Sequence, residues 1–282
     1  MRTQTIECDG LALAASIAGD SARPGLILLH GWPHSKEVYD QVIDDLGSDH
    51  FAIAFDLPDI GESRGAPASA EKKTLAGMVI SAAERLGARS IVIAGFDVGG
   101  MIAYAAARDH GDRVTGAVVM NTVIPGIDPW ARILSDPRIW HFAFHALPEL
   151  PELLVAGHQR SYFDFFTDFL AGKKEAVSER HRSTFAHAYE RQQALTAGFD
   201  WYRALPADAE RNSERKDIRT PILYLRGDAD GRSPEEYVSG LKSMGARHVR
   251  GEVLHDTGEF APLEAPQDFV RAIASFAQTC RA

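Results

Sequence analysis

Gly95-Phe96-Asp97-Val98-Gly99 is the segment of this 282-residue chain best suited to chemistry. A short apolar strand pattern, Ser90 to Ala94, leads into it and a helical pattern leaves it. Small residues at 95 and 99 permit a sharp turn and close packing of helix on strand, which holds the central side chain out beyond the strand. The helix start sets the amide of Val98 beside that side chain, a ready donor to an oxyanion. An aspartate there is a poor nucleophile toward esters and amides. It can attack an sp³ carbon that carries a leaving group and form an alkyl ester. The plainer alternative is an aspartate that caps a helix. Gly61-Glu62-Ser63-Arg64-Gly65 spells the serine form of the motif, but no apolar strand runs directly into it and Ala66-Pro67-Ala68 follows, so it reads as a loop.

The elements needed to position Asp97 are visible as periodicities. Residues 3–8 and 11–18 read as strands joined by the hairpin dipeptide Asp9-Gly10. Further strands are expected at 25–30, 51–55, 90–94, 114–120, 221–226 and 248–254. Helices are expected at 36–46, 75–86, 101–108, 234–244 and 266–277. Strand and helix alternate, which argues for a mostly parallel sheet with helices on both faces. From Thr122 to Asp217 no strand pattern occurs and aromatic residues crowd in, Trp140, Phe142, Phe166, Trp201 and Tyr202 among them. Such an insertion is a helical subdomain that, laid over the carboxyl ends of a parallel sheet, would line a pocket. The expected division is residues 1–121 and 218–282 as an α/β core and 122–217 as a helical cap.

Composition narrows the partners. The formal net charge is −9, the reverse of what phosphate backbones and anionic membrane surfaces require, so neither nucleic acid nor membrane is expected. No apolar run approaches a membrane span, and the first residues carry no signal pattern. Two cysteines, Cys8 and Cys280, stand near opposite ends, unlike a zinc site or a disulfide framework; a reducing, cytoplasmic location is the expectation. Asp228-Ala229-Asp230-Gly231 begins like a calcium loop but lacks the later ligands. No metal and no organic cofactor is expected. The oligomeric state is open, with a homodimer carried as one option.

Four motifs, His30-Gly31-Trp32-Pro33, Asp56 to Ser63, Gly95 to Gly100 and Phe260 to Pro266, resemble those of the α/β-hydrolase-fold epoxide hydrolases and their haloacid and haloalkane dehalogenase relatives. The resemblance spans the core on both sides of the insertion. It implies an α/β-hydrolase fold, Asp97 as nucleophile, the amides of Trp32 and Val98 as oxyanion donors, and a cis Trp32–Pro33 bond. Trp140-His141-Phe142 and Phe199-Asp200-Trp201-Tyr202 resemble the cap segments that bear ring-opening residues. His141 and Tyr202 would then hydrogen-bond and protonate an epoxide oxygen, with His30, Trp140 and Trp201 as neighbouring substrate-site residues. The dehalogenase branches fit less well: Val98 and Met101 stand where fluoroacetate dehalogenases carry arginines, and Val98 stands where haloalkane dehalogenases have a halide-binding tryptophan. An apolar epoxide is the implied substrate.

The general base is where the pattern departs. The family places a histidine after the last strand, oriented by a carboxylate; Asp230 fits the carboxylate, while Asn121, at the other place for it, is not acidic. Glu259 occupies the histidine's place. Three readings stay open: Glu259 is the base with its pKa raised by burial and neighbouring carboxylates; His255 serves instead; or the ester is hydrolysed poorly, leaving a slow hydrolase, a non-hydrolytic epoxide-opening catalyst or a binding protein.

Overall fold

The computed structural model describes residues 1–280. Eight strands, β1 (Arg2–Cys8), β2 (Leu11–Ala18), β3 (Gly25–Leu29), β4 (Phe51–Phe55), β5 (Ile91–Phe96), β6 (Val114–Met120), β7 (Ile222–Gly227) and β8 (Val249–Leu254), form one sheet in the order β1-β2-β4-β3-β5-β6-β7-β8. The β1–β2 hairpin and the β2–β4 pair are antiparallel; every other pair is parallel. Asp9 and Gly10 both have positive φ, as a two-residue turn matched to strand twist requires. Strands β3, β4 and β5 are buried on both faces, which is why they read as continuous apolar runs rather than as alternation.

Helices α1 (Ile43–Gly47), α2 (Lys72–Arg85) and α3 (Val98–Asp109) connect the first half of the sheet. Between β6 and β7 the named elements are all helical, with α4 (Trp130–Leu134), α5 (Trp140–His145), α6 (Leu150–Val155), α7 (Gln159–Leu170), α8 (Glu179–Ala188), α9 (Gln192–Arg203) and α10 (Leu205–Ser213) joined by loops and short 3₁₀ turns. Then follow α11 (Glu235–Ser243), α12 (Ala261–Glu264) and α13 (Pro266–Thr279). Two buried clusters lie on opposite faces of the sheet. One holds Ile27, Ile93 and Val119 with α2, α3 and the inserted helices; the other holds Leu28, Ala94 and Val118 with α13. No helix among the described residues is long and apolar enough to cross a membrane.

Three elements differ from the periodicity, one of them α3, which starts at Val98 rather than at the expected Met101. The helix expected over 36–46 is split into a 3₁₀ turn, Lys36–Tyr39, and α1. Buried partners pull the first turn inward: the Lys36 amide donates to Asp56 at 2.9 Å and the Tyr39 hydroxyl to the Leu29 carbonyl at 2.7 Å. Helix α2 starts three residues before the expected Leu75. Its first residue, Lys72, is buried against Asp208 of α10, with Nζ to Oδ2 at 3.0 Å and the amide to Oδ1 at 3.0 Å.

Candidate active site

Strand β5 ends at Phe96 and α3 begins at Val98, so Asp97 alone makes the turn between them. Its backbone has φ 50° and ψ −126°, a conformation that costs a residue with a Cβ of order 1–3 kcal/mol. Packing holds it there. A Cβ at Gly99 would lie 2.3 Å from the Leu29 carbonyl oxygen, and one at Gly31 would lie 2.5 Å from the Asp97 Cβ. Only glycines at these positions let α3 and the loop after β3 approach the elbow. The Trp32 amide, one residue ahead of a cis Trp32–Pro33 bond, donates to Asp97 Oδ2 at 2.7 Å. Burial raises the Asp97 carboxyl to about 6; the amides of Trp32 and Val98 and the Lys72 charge oppose that rise.

A cavity of about 130 Å³ opens over Asp97. Its wall includes His141 from α5, Phe166 from α7, Tyr202 from α9, Asp230 after β7 and Glu259 after β8. The inserted helices and the carboxyl ends of the sheet therefore enclose one space, and it contains all five residues expected to be catalytic. His141 is 8% exposed, its Nδ1 has no hydrogen-bond partner, and burial lowers its pKa to about 4, so the ring is neutral. Burial, with Asp97 nearby, drives the Tyr202 hydroxyl well above its usual pKa. Glu259 is likewise driven well above the carboxylate range, by burial first and then by the Asp97 charge, with Arg226 opposing. Asp230 pairs with the Arg226 guanidinium and accepts the Arg232 amide at 3.0 Å.

Other expected residues stand elsewhere. His255 is 83% exposed on the surface, its Nδ1 2.8 Å from Asp228 Oδ2, and it does not border the cavity. The alternative base is thus not brought to Asp97: the turn after β8 sends residue 255 outward and residue 259 inward. His30 is buried, with Nδ1 2.9 Å from the Gly31 carbonyl and Nε2 accepting the Leu57 amide at 3.1 Å, so its ring braces the loop rather than facing the cavity. Trp201 packs beside His30 with ring centroids 6.1 Å apart, and Trp140 is 43% exposed; neither borders the Asp97 cavity. The Val98 side chain is in the core and only its amide serves the carboxylate. Ser63 is buried, its hydroxyl donating to the Asp56 carbonyl at 2.8 Å and accepting the Ala14 amide at 2.9 Å, a fastening and not a nucleophile. Among the described residues, the trio of carboxylates close enough to share an ion, Glu37, Asp56 and Glu62, already surrounds the Lys36 ammonium at 2.7, 3.1 and 2.8 Å.

Three contributors escape a reading of the sequence. Asn121, with φ 48°, donates through Nδ2 to the carbonyls of Gly258 and Glu259 at 3.0 Å each and accepts the Gly227 amide at 2.9 Å. It thereby joins the loops after β6, β7 and β8. His145 lies 4.5 Å from both the Trp32 and Tyr202 rings and accepts or donates at Nε2 to the Tyr162 hydroxyl at 2.8 Å. Arg226 lines the cavity from the end of β7. A polar residue ending a buried strand was the available signal for Arg226; for His145, its i+4 spacing from His141.

The family model for the alpha/beta hydrolase fold matches residues 24–266. The soluble epoxide hydrolase of Corynebacterium sp. (strain C12) is 27% identical over 262 residues, covering 89% of this chain and 89% of that protein. A pimeloyl-[acyl-carrier protein] methyl ester esterase of Vibrio atlanticus (strain LGP32) is 25% identical over 261 residues, covering 90% and 95%. The crystal structure of Cfl2 from Burkholderia cenocepacia superposes with a TM-score of 0.88 at 27% identity, covering 98% of this chain and 95% of that one. These relatives include both epoxide hydrolases and esterases, and the match runs through the core strands, the elbow and the inserted helices alike. The chain belongs to the alpha/beta hydrolase fold family.

Proposed function

We propose that this protein is an epoxide hydrolase-like enzyme in which Asp97 opens a small epoxide through an alkyl ester. The observation that carries the reading is the company of Asp97: a carboxylate held on a strained elbow, sharing one small cavity with the unpartnered Nδ1 of His141 and with Tyr202. An unsatisfied buried polar atom costs free energy until a ligand supplies its partner. An epoxide oxygen is such a partner.

The free carboxylate oxygen attacks a ring carbon and the carbon–oxygen bond breaks toward the ring oxygen. The neutral His141 ring hydrogen-bonds that oxygen, and Tyr202, too weak an acid to ionise beforehand, gives the forming alkoxide its proton. Water must then attack the ester carbonyl, with the amides of Trp32 and Val98 holding the tetrahedral oxyanion. Glu259 takes the water's proton; the tetrahedral intermediate collapses by breaking the bond between the acyl carbon and the diol oxygen, that oxygen takes the proton from Glu259, and the released Asp97 carboxyl returns a proton to the Tyr202 phenolate. Before the reaction the ionisation of Glu259 is opposed by burial and by the Asp97 charge. Esterification removes that second charge, so Glu259 ionises more readily once there is an ester to cleave. Burial persists, however, and the second half-reaction is slow. That same burial favours the alternative of a pocket that opens epoxides and holds the ester without hydrolysing it.

Intact-protein mass spectrometry after incubation with a panel of terminal epoxides tests the reading. It predicts a covalent increment equal to the epoxide, absent from Asp97→Ala. An increment that survives Asp97→Ala, or neither adduct nor diol from any epoxide of the panel, overturns it.

A further inference from the structure

The inner cavity opens through a second space of about 400 Å³, and the two share Arg226, Asp230, Arg232 and Glu259. Their linings differ in character. Val123, Ile133, Phe142 and Phe166 line the inner one, whereas Arg138, Arg226 and Arg232 line the outer one or both. These three guanidinium groups face the carboxyl groups of Asp136, Asp230 and Glu259. The mouth thus gathers three guanidinium groups on a chain whose formal net charge is −9.

Arg226 is the unusual member. It is 7% exposed, and its Nε has no hydrogen-bond partner. Asp230 engages only Nη2. Tyr237, also on the cavity wall, lies under the guanidinium with its centroid 4.9 Å from Cζ. The group is thus fixed in place by a ring and one carboxylate, with a buried donor left over. Burying a guanidinium N–H without an acceptor is unfavourable, and a planar carboxylate is the acceptor whose geometry matches that fork. Arg232 holds Asp136 at 3.1 Å and leans toward Asp230 at 3.8 Å.

We infer that Arg226 binds a carboxylate on the substrate, so that the substrate class is a short epoxy acid whose reacting end lies over Asp97 and whose charged end lies at the mouth. The epoxide end rests on the reading of Asp97 above; the carboxylate end is read from Arg226 and the mouth alone.

The two are separated by a binding measurement that needs no reaction. Calorimetric titration of the full chain with hexanoate and with hexanamide, at low ionic strength, is expected to show hexanoate binding at least about tenfold more tightly. Arg226→Gln is expected to remove that preference, Arg226→Lys to keep part of it, and Asp97→Asn to leave it intact. Equal affinity for hexanoate and hexanamide in the wild-type chain overturns the inference even if the arginine variants do not fold. An unchanged hexanoate preference in folded Arg226→Gln overturns it as well, as does hexyl phosphate binding in place of hexanoate. Hexanoate binding without any epoxide opening would leave the carboxylate site standing and remove the Asp97 reading instead.

Discussion

Two carboxyl groups share one cavity, Asp97 and Glu259, and their surroundings raise both, by different means. Asp97 receives the amides of Trp32 and Val98, which limit its rise to about 6 and leave it ionised near neutrality. On Glu259 the first influence is burial and the second is Asp97 itself, with the Arg226 charge opposing them. Epoxide opening should therefore increase as pH passes through about 6 and level off above it, as measured by the initial rate of adduct formation. The same shift bears on stability. A folded-state pKa raised from 3.8 to about 6 means that stability is greatest below the unfolded value and is lost as pH rises between the two. Asp97→Asn should consequently stabilise the fold by roughly 2–3 kcal/mol above that window and by little below it, in denaturant titrations at both ends. Glu259→Gln should leave adduct formation near wild type and slow diol release by about a hundredfold or more, so that ester accumulates in the mass spectrum. Unchanged diol release would remove Glu259 from the role of base.

At the scale of elements, the site is a meeting of the strand ends with four helices from the insertion, and buried polar contacts fix that meeting. The Lys72 ammonium, at the start of α2, bonds Asp208 of α10 and the carbonyl of Trp201. Trp201 precedes Tyr202 on α9, so one buried ion pair ties the core to the segment that carries the Tyr202 hydroxyl. Asp208→Ala would leave a buried ammonium uncompensated and should cost about 3–5 kcal/mol in denaturant unfolding. A loss below about 1 kcal/mol would show the contact to be dispensable. On the opposite side Asn121 ties the loop of Glu259 to β6 and β7. Neither fastening could be read from the sequence. Asp208 lies 136 residues from Lys72, and no local period relates them. The strands were legible because burial on both faces writes itself as an apolar run, as at Phe51–Phe55. The 3₁₀ break at Lys36–Tyr39 was not, because the buried carboxylate of Asp56 that draws Lys36 in belongs to another element.

Taken whole, the molecule is a sheet whose parallel ends carry the Asp97 carboxylate into a space closed by helices. The elbow residues and their glycines were readable, since sharp turns and close approaches restrict residue type locally. Which of His255 and Glu259 faces inward was not, since both lie in the same loop and only the packed turn decides. His30, Trp140 and Trp201 show the same limit: residues beside a reactive segment in sequence turn to loop bracing, solvent or core. The most direct test is the origin of the oxygen delivered to product. With the protein in excess over a terminal epoxide in oxygen-18 water, an ester at Asp97 predicts a first-turnover diol without label and label retained in the Asp97 carboxylate. Label in the first diol, with none in Asp97, would mean that water attacks the epoxide directly and would contradict covalent attack by residue 97.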